Sequence, residues 1–195
     1  MSAKALLVVD VQNDFCPGGA LPVPEGDKVV PPLNQCLALF HRNHWPIFAS
    51  RDWHPPVTKH FKNYGGPWSV HCVQNTKGAE FHPALQLPEE TIVLSKGMDP
   101  DAHGYSAFEG ESKDKKSFQK ILKESGVEEL WVGGLATDYC VKSSVLDACR
   151  LGFKVKLLTD AVRGVNLKPE DSTSAVAEMI KKGAVQAALK ELSIR

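Results

Sequence analysis

The chain has 195 residues, 43% of them apolar, enough for one α/β domain with a full core and too few for two comfortable ones. Lysine plus arginine and aspartate plus glutamate each number 23, and neither sign forms a long run, so nothing in the charge pattern favours nucleic acid or an anionic membrane surface; a small molecule is the expected partner. No apolar stretch approaches the ~20 residues needed to span a bilayer, and five cysteines without a CxxC pair read as reduced thiols of a cytoplasmic protein.

The first apolar run, ALLVVD, predicts a strand ending in Asp10, and a helix follows at about 28–43. PIFASRD predicts a second strand, ending in Asp52 with His54 two residues on. The stretch 53–90 is rich in Pro, Gly, His and aromatics and has no sustained period, which marks an irregular insertion that binds metal and substrate. TIVLSK predicts a third strand ending in Lys96, with a helix at about 115–125 beyond it. ELWVGGLA predicts a fourth, running through GLATDYC with Cys140 into a helix at about 138–151. FKVKLLTDAV, a helix at about 170–182 and the weaker run AVQAAL complete the pattern. Apolar runs without in/out alternation suit strands covered on both faces. The expectation is a single α/β domain over 1–195, a six-stranded, mostly parallel sheet with helices on both faces in a Rossmann-like three-layer sandwich.

Ligands of such sheets bind beyond the carboxyl ends of the strands. Four strands there deliver Asp10, Asp52 with His54, Lys96, and Cys140. Thr137 or Asp138 suits a helix N-cap, and Val141, Val145 and Ala148 then repeat at helical spacing, which puts Cys140 in the first turn. Unpaired N–H groups and the helix dipole there favour a thiolate and can hold an oxyanion. Asp10 can move the proton that an amide leaving group needs, and Lys96 would depress the thiol's pKa. Cys149 falls on the opposite helical face and is expected to pack. Asp52 and His54 share a face of an extended chain, and with His60 and His71 in the insertion they form a carboxylate and imidazole set suited to zinc, iron or manganese. Cys72, adjacent to His71, is left out of that set. Phe15, Trp68, Tyr105 and Phe108 are candidate apolar walls for a planar heteroaromatic ligand.

Taken together, VVDVQNDFCPGGAL, SRDWH, WSVHCVQ, GAEFHP, the lysine of SKG, GYSAFEG and GLATDYCV resemble the isochorismatase-like hydrolases, and within them the nicotinamidases, over essentially the whole chain. That resemblance implies a triad of Asp10, Lys96 and Cys140, and one divalent metal, zinc foremost with iron and manganese as alternatives, held by Asp52, His54 and His71. His60 matches a ligand found in only some members. It further implies ring-stacking Phe15 and Trp68, Tyr105 at the substrate, and a cis peptide at Leu135-Ala136 that aims the Ala136 N–H, with that of Cys140, at an oxyanion. The implied reaction is hydrolysis of nicotinamide, and of pyrazinamide, through a thioester on Cys140, within NAD salvage, with the pyridine nitrogen facing the metal. Metal-free amidases lack a counterpart to the Asp52, His54 and His71 set, and isochorismatases lack the cysteine. A dinucleotide module is disfavoured because DVQNDFCPGG is no GxGxxG turn. Balanced charge and the lack of a helical seam leave monomer and small homo-oligomer both open.

Overall fold

A computed structural model describes residues 3–192; residues 1–2 and 193–195 of the expected 1–195 domain lie outside the described residues. Strands β1 (Ala3–Val9), β2 (Ile47–Asp52), β3 (Ile92–Lys96), β4 (Glu111–Ser112), β5 (Val127–Leu135), β6 (Lys154–Arg163) and β7 (Val185–Ala187) form one sheet in the order β4-β3-β2-β1-β5-β6-β7. Every pairing is parallel except β3 with β4. The strand count is therefore seven, not six. The extra strand is two residues long, too short for any periodicity, and it docks antiparallel on the edge of the sheet through Leu94 and Ser95.

The helices are α1 (Val30–Arg42), α2 (Phe118–Glu124), α3 (Lys142–Arg150) and α4 (Asp171–Lys181). Helix α1 starts with prolines in its first turn, where their missing N–H groups cost nothing, and buries Val30, Leu33, Leu37 and Phe40 at helical spacing. It ends at Asn43, whose side-chain amide donates to the Leu39 carbonyl, before His44 turns with φ +53°. The strand pleat sorts the core into two layers. Leu6 and Val8 of β1 join the α1 side, and Ala5, Leu7 and Val9 join the side covered by Phe118, Leu122, Val145 and Met179. All five are fully buried, which is why β1 shows no polar alternation. No helix among the described residues is long and apolar enough to cross a membrane.

Strand order reverses between β1 and β5, so a crevice opens at their carboxyl ends, where Asp10 and the segment leading to Cys140 emerge. Gly134 makes this junction tight. Its φ is +124°, and a Cβ there would lie 2.1 Å from the Val9 carbonyl oxygen, so β5 passes β1 at this separation only as glycine.

Candidate active site

The exits of β1, β2, β3 and β5 bring Asp10, Asp52, Lys96 and Cys140 together, all buried. Asp10 leaves β1 with φ +48°, a left-handed conformation that aspartate tolerates better than most residues. Its Oδ1 accepts from the Ser50 hydroxyl at 2.7 Å, and its Oδ2 lies 2.8 Å from Lys96 Nζ. The Lys96 ammonium also donates to the Gly104 carbonyl at 3.0 Å, to Asp52 Oδ1, and toward Cys140 Sγ at 3.4 Å. Removing such an ion from water costs several kcal/mol, and a carboxylate on either side offsets that cost. Burial opposes its charge, but Asp10 and Asp52 win, and the Lys96 pKa sits well above the usual amine range. Burial, helped by the neighbouring Asp52 charge, prevails over Lys96 at Asp10 and raises its carboxyl. Burial loses at Asp52, where the Lys96 ammonium first, then the neighbouring His54 and His71 side chains, hold the carboxyl well below its ordinary value.

Cys140 behaves differently from the expectation of a pre-formed thiolate. Burial, reinforced by Asp10 and Asp52, outweighs Lys96 and pushes the thiol well above its ordinary pKa. The local helix also differs. Thr137–Val141 form a π-helical turn that precedes α3, with Ala136 at the N-cap position and no side-chain cap. Asp138 instead accepts from the backbone N–H groups of Val165 and Asn166 at 2.9 and 2.8 Å, tying the turn to the loop after β6. Sequence spacing alone does not separate an N-cap from a carboxylate aimed at a distant loop. The bond between Leu135 and Ala136 is cis. Cys149 is half-buried and packs on the second core layer, as expected.

Next to this group His54, His60 and His71 present ring nitrogens within 4.8 Å of one another. His54 Nδ1 donates to the Gly97 carbonyl at 2.9 Å and His71 Nδ1 to the Ser69 carbonyl at 2.6 Å, which leaves both Nε2 atoms as acceptors. Those atoms face Asp52 Oδ2 at 3.5 and 3.8 Å, and His54 Nε2 is buried without a hydrogen-bond partner. Tetrahedral zinc with bonds of roughly 2.1 Å has ligand–ligand edges of about 3.4 Å. Converging lone pairs, imidazoles oriented by backbone carbonyls and one carboxylate thus fit a divalent metal ion. His60, outside the three ligands implied by resemblance, belongs to the cluster by position. Burial first, then His54, pushes its pKa down to about 3, so it stays neutral as a ligand must. Cys72 is not a member; its backbone N–H donates to Asp14 Oδ2 at 2.7 Å.

A cavity joins the two groups and touches Phe15, Asp52, His60, Trp68, His71, Tyr105, Ala136 and Cys140. Trp68 Nε1 donates to the Tyr105 hydroxyl at 2.9 Å, which fixes two walls relative to each other. Phe108 is not a wall. It packs on Phe118 and Phe153, in the core layer behind the sheet edge. Sequence reasoning missed Leu21, Val23, Leu135, Tyr139 and Val165, which also line the cavity. Tyr139 directly precedes Cys140 and meets Trp68 edge-on at 4.8 Å between ring centroids; only its adjacency to the cysteine could have flagged it.

The family model described as the isochorismatase domain matches residues 4–191. The nicotinamidase of Escherichia coli (strain K12) is 43% identical over 200 residues, covering 94% of each chain. Among solved structures, the pyrazinamidase of Pyrococcus horikoshii in complex with zinc superposes with a TM-score of 0.88 at 47% identity, over 95% of this chain and 99% of that one. PnC1 from L. infantum in complex with nicotinate gives 0.87 at 31% identity, over 100% and 96%. With the match spanning nearly all of its length, this chain belongs to the isochorismatase family.

Proposed function

We propose that this protein is a nicotinamidase that hydrolyses nicotinamide, and also pyrazinamide, to the carboxylate and ammonia through a thioester on Cys140. The observation that carries this reading is the juxtaposition of a thiol, a buried carboxylate and a buried ammonium with an imidazole and carboxylate cluster across one aromatic cavity. The relatives named above support the substrate.

On this reading Asp10 takes the Cys140 proton as sulfur attacks the carboxamide carbon, a role suited to a carboxyl whose pKa is raised. The backbone N–H groups of Ala136 and Cys140 stabilise the resulting oxyanion. Asp10 then passes the proton to the amide nitrogen, the C–N bond breaks, and ammonia leaves. Water attacks the thioester with Asp10 again as base, and the proton returns to sulfur as the acid departs. Lys96 keeps Asp10 oriented throughout and compensates the charge that develops on sulfur. Phe15 and Trp68 sandwich the ring, and Tyr105 braces Trp68. Asp52, His54 and His71, with His60 as a further ligand, would hold a divalent cation, zinc foremost, which would supply Lewis acidity toward the ring nitrogen of the substrate. The test is ammonia release from nicotinamide, pyrazinamide and benzamide, with and without chelator. We expect both pyridine-type amides to be cleaved and benzamide, which lacks the ring nitrogen, to be poor. Equal rates for benzamide and nicotinamide would overturn the metal's part in substrate binding.

A further inference from the structure

Strand β1 departs from the sheet at Asp10, while its neighbour β2 continues to Asp52. In a parallel ladder the N–H and C=O of one residue point to the same neighbour. Those of Ser50 and Asp52 face β1, and those of Trp53 face β3, as its N–H bond to the Lys96 carbonyl shows. Ser50 still meets β1, because its carbonyl accepts from the Asp10 N–H at 3.1 Å. Asp52 has lost its backbone partner. Both its peptide groups would be buried and unpaired, at about 1–3 kcal/mol each.

Gln12 fills the gap. Its side-chain oxygen accepts from the Asp52 N–H at 2.8 Å, and its nitrogen donates to the Asp52 carbonyl at 2.8 Å and to the Ala79 carbonyl at 2.9 Å. The carboxamide stands in for a peptide unit of β1, and only one orientation of it matches these partners. Gln12 is fully buried, and its own N–H donates to the Asp10 carbonyl at 2.8 Å. One side chain therefore ties the exit of β1, the end of β2 and the insertion loop together, and its principal object is the residue whose carboxylate lies between Lys96 and the two histidines.

We propose that Gln12 is a positioning residue for the metal centre, holding the Asp52 backbone so that the carboxylate presents Oδ2 to the same point as His54 and His71. This rests on the metal reading given above. Outer-shell partners of this kind are worth 10–100-fold in metal affinity. Gln12→Met keeps the volume and removes both hydrogen-bonding functions. Gln12→Glu is isosteric, keeps the acceptor for the Asp52 N–H, removes at least one of the two donors, and is the second variant should the first fold poorly.

The experiment is zinc binding to metal-stripped protein by competition with a chromophoric chelator, alongside thermal unfolding of the same stripped samples. Two references accompany it. Ser144→Ala removes an unrelated buried hydrogen bond, from the Ala107 N–H to the Ser144 hydroxyl. Asp52→Ala removes the carboxylate. We expect both Gln12 variants to bind zinc at least tenfold more weakly, and Ser144→Ala to lose thermal stability with zinc affinity within twofold of the parent. Gln12 variants that lose thermal stability while keeping parental zinc affinity would reduce Gln12 to a structural role and overturn the proposal. If Asp52→Ala also binds zinc like the parent, the metal reading falls with it; if only Asp52→Ala is impaired, the Gln12 proposal alone falls.

Discussion

Lys96 Nζ lies 3.4 Å from Cys140 Sγ, yet the thiol is pushed above its ordinary pKa, because burial and two carboxylates outweigh one ammonium. On the proposed mechanism the sulfur therefore starts protonated, and its activation falls to Asp10 rather than to a standing thiolate. Cys140→Ala should reduce ammonia release from nicotinamide to background while bound metal per chain, measured by atomic emission, stays at the parental value. Retained turnover would shift suspicion to Cys16, the cysteine nearest in sequence to Asp10.

Lys96 stands between Asp10 and Asp52 and pairs with both, so its removal leaves two buried carboxylates facing each other. Lys96→Met should cost about 3–5 kcal/mol at neutral pH in urea unfolding, and at least 100-fold in kcat. In the parent, Asp52 is held below its ordinary value of 3.8, so its contribution is present above that pH and is lost as pH falls through the lower folded value. In the variant the unpaired carboxylates bind protons more readily when folded, so its deficit relative to the parent should shrink on acidification from pH 7 to 5. A deficit independent of pH would contradict this.

His54→Ala and His71→Ala should each lower bound metal below half the parental stoichiometry, with elemental analysis after dialysis as the readout. His60→Ala should weaken affinity as well, because the His60 ring shares the same cluster. Unaltered metal content in all three would remove the imidazoles from the account.

Gly97 packs against the His54 ring from the far side. A Cβ there would come within 2.5 Å of Cε1, and the residue sits at φ +68°. Gly97→Ala should cost about 1–3 kcal/mol of stability by chemical denaturation and weaken metal binding, since the ring must shift off its Gly97 carbonyl acceptor. Parental values for both would show that the loop yields without moving His54.

Much of the site was legible because parallel strands put their last residues on one edge: Asp10, Asp52, Lys96 and Cys140 could be read from four apolar runs. The sheet was legible for the same reason, apart from β4, whose two residues carry no period. What escaped was long-range. That Asp138 serves the loop at Val165 rather than its own turn depends on a contact 27 residues away. The role of Gln12 leaves no local signal because its partners, Asp52 and Ala79, are 40 and 67 residues distant. The state of Cys140 was misjudged because a turn's position along the chain says nothing of how deeply two carboxylates and the core enclose it. Phe108 was misplaced because nearness to Lys96 in sequence does not tell the two faces of the sheet apart.

The most direct test is rapid quenching of the enzyme during nicotinamide turnover, followed by mass spectrometry of the peptide containing Cys140. The account expects a nicotinoyl adduct on Cys140 that disappears as substrate is exhausted and never forms in Cys140→Ala. Turnover with no adduct on this residue, or an adduct on another, would contradict it.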